Sequence, residues 1–194
     1  MAKSIWTETK INNENYFLLD LDHPEVEDAI LSEIDSGVDV YYDRRWGVTE
    51  AFCNYLFSHP EKLKDKTVLI IGAGVGMETL AIGRLCKKLY INDMAPIALK
   101  LCSDQLKKNG VQDFEVMPGS YVDLEIPQVD MVVGCFLVYN SETLKAMNQF
   151  FKVCKNPIML MDESSKYFEK LVSTTNKYTR VLFSEGIFQC ILFE

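Results

Sequence analysis

Thr67-Val68-Leu69-Ile70-Ile71-Gly72-Ala73-Gly74-Val75-Gly76-Met77-Glu78 decides how the rest of the chain is read. Five residues suited to a buried strand run straight into Gly-x-Gly-x-Gly, and an amphipathic stretch follows at once. The pattern predicts strand, tight turn and helix, the opening unit of a nucleotide-cofactor fold. Gly72 lets the chain reverse, and Gly74 lets backbone approach a ligand with no side chain in the way. Gly76 is expected to let the helix pack close to the strand. An ordinary β–α turn that happens to be rich in glycine is the competing reading, and the residues around it count against that.

Downstream, Leu89-Tyr90-Ile91-Asn92 reads as a second strand ending in Asp93, a carboxylate able to accept from both hydroxyls of a ribose. Pro96 opens a helix that stops near Asn109-Gly110. A third strand, Asp113 to Met117, turns away at Pro118-Gly119-Ser120. The fourth, Val129 to Cys135, is nearly all apolar, as in a strand covered on both faces of a parallel sheet. A helix from Ser141 to Val153, capped by Ser141, leads to a fifth strand, Pro157 to Met161, which ends at Asp162-Glu163. After a helix at Tyr167 to Val172, Arg180–Ser184 and Ile187–Phe193 flank Glu185-Gly186 as a hairpin. The expected fold is α/β: a Rossmann-like, seven-stranded, mostly parallel sheet with a C-terminal antiparallel hairpin and helices on both faces. A dinucleotide-binding Rossmann domain would read Gly-x-Gly-x-x-Gly and close on a sixth parallel strand, so a nicotinamide-dependent reductase is disfavoured.

Upstream, residues 1–22 read as irregular or edge-strand-like, with one strand at Tyr16-Phe17-Leu18-Leu19. Pro24 starts a helix to about Ser36, which Gly37 stops. A turn at Asp43-Arg44-Arg45 precedes a helix from Thr49 to Ser58 with Thr49 as its N-cap. Residues 1–45 hold 11 Asp and Glu against 4 Lys and Arg, so most of the net charge of −8 lies there. These residues are expected to form an acidic extension packed on the core, either a solvated face or a surface that steers a lysine-bearing partner. Residues 46–194 are expected to carry the cofactor-binding fold, the whole forming one structural domain of 194 residues.

Acidity without a basic stripe argues against nucleic-acid binding. No apolar run is of bilayer length and the first residues lack a signal-peptide core, so no membrane association and a cytoplasmic location are expected. Six scattered cysteines, none in Cys-x-x-Cys, and two histidines remote from them predict reduced thiols and no metal site.

With Trp46-Gly47, Gly72-x-Gly-x-Gly76, Asn92-Asp93-x-x-Pro96 and Tyr139-Asn140 in place, residues 40 to 165 resemble the class I S-adenosylmethionine-dependent methyltransferases. Within that class they look like the family-16 protein-lysine methyltransferases, in particular the branch acting on the electron-transfer flavoprotein β-subunit. The resemblance implies S-adenosyl-L-methionine as cofactor and a protein or small-molecule amine as methyl acceptor. It implies that Gly72, Ala73 and Gly74 line the methionine part, Asp93 binds the ribose and Met94 lies on the adenine face. Gly119, Ser120 and Tyr121 border the adenine edge, and Gly134 and Cys135 floor the site. Trp46 is a core anchor or a wall of the cofactor pocket. Tyr139 is expected to orient the acceptor, with Asn140 beside it.

Two positions depart from the family pattern. Ile70 stands where an acid helps hold the cofactor's amino group, and Phe136 stands where Asp-x-x-Tyr begins. Asn140, Asp162 and Glu163 are the candidates to replace the second acid. The missing acids motivate the alternative reading, a binding protein that keeps the fold but has lost its chemistry.

Overall fold

The computed structural model describes residues 4–11 and 14–194. Its centre is the strand that opened the sequence reading, β3 (Thr67–Ile71), with four of its five residues buried. In chain order it is followed by α3 (Met77–Leu85), β4 (Lys88–Asp93), α4 (Pro96–Lys108), β5 (Phe114–Pro118) and β6 (Met131–Cys135). Then come α5 (Ser141–Val153), β7 (Ile158–Glu163), α6 (Lys166–Thr174), β8 (Thr179–Glu185) and β9 (Phe188–Phe193). The seven strands lie in the order β5-β4-β3-β6-β7-β9-β8. The pairs from β5 through to β7 are parallel, and β9 runs antiparallel to both β7 and β8. The expected sheet and closing hairpin are both present, with Gly186 at φ +58° in the hairpin turn.

β3 and β6 are neighbours in the sheet, while β4 follows β3 on its other side. The chain therefore changes direction across the sheet between them, and the connections leaving the carboxyl ends of β3 and β6 run to opposite sides. Open α/β sheets hold ligands at such a point. Both faces of the sheet are covered. Ile70, Val133 and Cys135 share one buried cluster with α2 (Gly47–Ser58), α3 and α4. Leu69, Ile71 and Val132 share the other with α5 and α6.

The N-terminal part contains a second strand besides the one expected at Tyr16–Leu19. β1 (Trp6–Ile11) and β2 (Glu14–Leu19) form a two-stranded antiparallel ribbon, followed by α1 (Pro24–Asp35). The ribbon is held by α4: Asn109 exchanges hydrogen bonds with the backbone of Phe17 (2.8 and 2.7 Å). Gln105 Oε1 accepts from the Leu19 amide while its Nε2 donates to Val75 O, tying β2 to the glycine turn. β1 is outward-facing over most of its length, so it lacks the clean apolar alternation that marks a strand in sequence.

Two caps differ from expectation. α2 begins at Gly47, with Trp46 in the N-cap position, which leaves Thr49 inside the helix and buried. α5 is capped by Asn140 rather than Ser141, through a reciprocal capping box with Thr143.

Candidate cofactor site

The turn after β3 has the backbone that its glycines permit: Gly72 and Gly74 sit at φ +60° and +50°, where other residues are strained. Asp93, at the end of β4, fixes this turn. Its Oδ2 accepts from the Gly74 amide (2.8 Å) and its Oδ1 from the Ala95 amide (2.9 Å). Burial raises its pKa, and the bonds from Ala95, Gly74 and Met94 amides oppose that rise. The carboxylate thus faces the turn rather than bulk solvent. A carboxylate offers about four lone-pair directions, so acceptor capacity remains for hydroxyl donors.

The neighbouring turn is strapped to the same strand end. Gly119 donates to Asp93 O (2.9 Å), and Asn92 Nδ2 donates to Met117 O and Gly119 O (both 2.8 Å). These two bonds consume both hydrogens of the Asn92 amide and fix its orientation. Its Oδ1 is left buried with no hydrogen-bond partner. Met94, 64 % exposed, offers an apolar side chain at the rim.

The end of β6 is built differently. Phe136, the residue in the place of the family's acid, has φ +54°, a strained conformation for a bulky side chain. The loop is braced from below by Asp162, 1 % exposed, whose Oδ2 accepts from the amides of Leu137 and Val138 (both 2.9 Å). Burial raises the Asp162 pKa to about 7. Asp162 is therefore occupied with backbone. Asn140 Oδ1 is likewise taken up by the amides of Glu142 and Thr143. Four aromatic rings form a continuous wall here: Trp46 on Phe136 (4.7 Å between centroids), Phe136 on Tyr139 (5.8 Å) and Tyr139 on Tyr41 (5.1 Å). Burial raises the Tyr139 pKa, so its hydroxyl stays protonated at neutral pH.

These parts line one cavity of about 530 Å³, within the range of small-molecule sites. Of the residues singled out in the sequence, Trp46, Gly72, Ala73, Gly74, Asp93, Met94, Gly119, Ser120, Tyr121, Cys135, Tyr139 and Asn140 all border it. Gly134 does not. A Cβ there would lie 2.6 Å from Leu137 Cδ1 and 2.9 Å from Leu160 Cδ2, so the Leu137 side chain stands between Gly134 and the cavity. Ile70 is wholly buried in the sheet. Gly76 has a different role from the one expected: the space where its Cβ would point is filled by the carboxylate of Glu78.

Several lining residues carried no signal of their own in sequence. Tyr42 packs over Gly74, 3.3 Å from where a Cβ would be, and its hydroxyl donates to Glu33. Glu33 in turn accepts from the Ile97 amide at the start of α4 (2.8 Å). Leu18, Leu19, Asp39, Tyr41 and Arg45 also face the cavity, so the N-terminal part supplies one side of it. Arg45 lies beneath Leu19, whose carbonyl accepts its Nη2 (2.8 Å).

This architecture is the class I S-adenosylmethionine-dependent methyltransferase fold. No protein-family model matches the chain. It resembles the electron transfer flavoprotein beta subunit lysine methyltransferase of Homo sapiens, with 26% identity over 117 residues, covering 60% of this chain and 45% of that protein. It also resembles the histone-arginine methyltransferase METTL23 of Xenopus laevis, with 27% identity over 101 residues, covering 48% and 43%. Among solved structures, the T. thermophilus 16S rRNA N2 G1207 methyltransferase in complex with AdoMet and guanosine superposes with a TM-score of 0.69 at 15% identity, over 99% of this chain and 51% of that one. The chain spans about half the length of the curated relatives it matches. No helix among the described residues is long and apolar enough to cross a membrane.

Proposed function

We propose that this chain binds S-adenosyl-L-methionine in the cavity and methylates an amine nitrogen of a protein lysine or a small molecule. The observation that carries the reading is the Asp93 carboxylate closing on the Gly72–Gly74 turn at the point where the sheet changes direction. The cavity fits the group on three counts: its volume, the open backbone at Gly119 and the unpartnered acceptor Asn92 Oδ1.

Asp93 takes the ribose hydroxyls, Met94 covers one adenine face, and Gly119 and Ser120 border the adenine edge. Gly72, Ala73 and Gly74 lie along the methionine part. Bound in this place, the cofactor would supply a methyl group already activated on a sulfonium: the S–CH3 bond breaks as the N–CH3 bond to a neutral amine forms, leaving S-adenosylhomocysteine, the methylated amine and a proton. What the protein contributes is alignment and exclusion of water. The wall of Trp46, Phe136, Tyr139 and Tyr41 does both at the acceptor end. Apolar rings favour the neutral form of an incoming amine, because the charged form is poorly solvated there. Tyr139 orients the acceptor, and Asn140 acts through the helix it caps by fixing the backbone beside Tyr139. Asp39 and Glu142 are exposed at the rim and draw in a basic acceptor, which loses its proton to solvent before the rings enclose it.

The names of the relatives span lysine, arginine and ribosomal RNA. A net charge of −8 and the acidic rim favour a cationic amine over RNA. The test is transfer of labelled methyl from S-adenosylmethionine into separated protein, metabolite and RNA fractions of a lysate. Label in protein or amine metabolites supports the reading, and label confined to RNA replaces the acceptor class. Cofactor binding with no label anywhere favours the binding-protein alternative that the absent acids at 70 and 136 raise.

A further inference from the structure

Glu78 lies in the first turn of α3, is 6 % exposed and borders the cavity. Its Oε2 has no hydrogen-bond partner. Around it stand the thiols of Cys53 in α2, Cys102 in α4 and Cys135 at the end of β6, its own backbone amide, and the Thr49 hydroxyl in α2. None of these is a cation. The two arginines that border the cavity are engaged elsewhere, Arg44 with Asp43 (3.0 Å) and Arg45 with the Leu19 carbonyl. Burying a carboxylate without a counter-charge is among the more costly arrangements in a protein, and such groups mark sites where a charged ligand arrives.

The position of Glu78 specifies the ligand. The glycine turn is bracketed by two carboxylates: Asp93 bonded to the amide of Gly74, and Glu78 filling the space above Gly76. Ile70, Cys135 and Cys53 belong to one side of the sheet, the side on which α2 and α3 pack, and Glu78 is buried in the first turn of α3. An acid is therefore present on the face where Ile70 leaves none, reached from helix α3 instead of from strand β3.

We infer that Glu78 is a binding residue for the α-ammonium group of the cofactor's methionine moiety, taking the place of the acid absent at Ile70. The inference rests on the cofactor reading above. Asp93 and Glu78 then hold the two ends of one molecule, the sugar and the amino acid, with the sulfonium between them. Burial raises the Glu78 pKa to about 7, so that without a counter-charge its carboxyl takes up a proton far more readily than an exposed glutamate does. An ammonium group beside it favours the ionised form.

Calorimetry with two compounds tests this. S-adenosylhomocysteine carries the ammonium, whereas 5′-methylthioadenosine has the same adenosine and sulfur but no amino acid. Glu78→Gln keeps the size of the side chain and removes its charge. The expected result is an affinity for S-adenosylhomocysteine lower by about tenfold or more, the weight of a charge-assisted hydrogen bond, with 5′-methylthioadenosine unchanged. As a second measure on the unaltered protein, the analogue of S-adenosylhomocysteine lacking its α-amino group binds about tenfold more weakly than the parent. Equal loss for both ligands in E78Q, or no loss for either, overturns the assignment of Glu78 while leaving the cofactor reading in place. Failure of the unaltered protein to bind either adenosine compound overturns both.

Discussion

The two ends of the cavity are organised by different chemistry. Around the glycine turn the important partners are backbone groups: the amides of Gly74 and Ala95 on the Asp93 carboxylate, the amide of Gly119 on the carbonyl of Asp93, and the Val75 carbonyl, which accepts from Gln105 Nε2. At the end of β6 they are side-chain rings, with Trp46, Phe136, Tyr139 and Tyr41 in contact and a strained backbone at Phe136. A backbone-built site requires particular residue types at particular spacing, because only glycine and a short carboxylate satisfy the geometry. A ring-built wall can be assembled from many residues brought from distant elements. The first kind suits a ligand shared by a whole class, and the second suits an acceptor that differs from one member to the next.

The strongest way to break this contrast is at Asp93. Asp93→Ala removes the ribose acceptor and releases the amides of Gly74 and Ala95 together. Affinity for S-adenosylhomocysteine, measured by calorimetry, is expected to fall by about a hundredfold or more. Retained affinity would mean that the backbone-built end is not where the cofactor lies. Gly72→Ala follows. It places a side chain at φ +60° and brings its Cβ within 2.5 Å of Leu137 Cδ2. The two penalties together lower unfolding free energy by about 2–3 kcal/mol in denaturant titrations. Adding Leu137→Ala relieves the collision but not the backbone strain, so a double-mutant cycle separates them.

The same division governs what the sequence disclosed. Gly72, Gly74 and Asp93 were legible because turn geometry and strand-end placement leave few other residues possible. The mostly parallel sheet and its closing hairpin were legible from the apolar runs at β3 and β6 and from Glu185-Gly186 between two strands. The ribbon of β1 and β2 was half missed, since β1 has a single buried residue and pairs only with β2, which is itself tied down by Asn109 and Gln105, roughly 90 residues away. Glu78 was invisible for a related reason. A glutamate in the first turn of a helix is ordinarily a surface residue favoured by the helix dipole, and nothing local says that α2 covers it. Asp162 could be named as a candidate acid, but only the structure shows its oxygens spent on Leu137, Val138 and Glu163.

Glu78 and Asp162 sharpen the contrast through pH. Both carboxyls have pKa values raised to about 7 by burial, from ordinary values of 4.5 and 3.8. In the window between, the native state holds more protons than the unfolded chain, so stability falls as pH rises. The contribution is intact below the unfolded value and lost by the time pH passes about 7. For Glu78, with only the neutral thiols and Thr49 beside it, Glu78→Gln is expected to stabilise the ligand-free protein at pH 8 by about 2 kcal/mol, and to bring almost nothing at pH 4.5. Denaturant midpoints at the two pH values check this. Asp162→Asn is expected to destabilise at both, because only one oxygen remains and one or two of the three backbone amides lose their acceptor.

The smallest expected effect decides what Asn140 does. Its side-chain oxygen accepts from Glu142 and Thr143 at the start of α5, and the Tyr139 amide donates to Thr143 Oγ1 (3.2 Å) in the same capping arrangement. If Asn140 serves the acceptor site only through this cap, Asn140→Ser and Asn140→Asp keep methyl transfer near the wild-type rate, since both residues cap helices well. Asn140→Ala then costs about 1 kcal/mol of stability and slows transfer modestly by loosening the backbone next to Tyr139, with cofactor affinity unchanged. A Ser or Asp variant that folds normally and binds cofactor normally, yet transfers no methyl, would show that the free Nδ2 of Asn140 touches the acceptor directly. In that event the acceptor end would depend on an amide donor as specific as any group at the cofactor end, and the distinction between the two ends would fail at this residue.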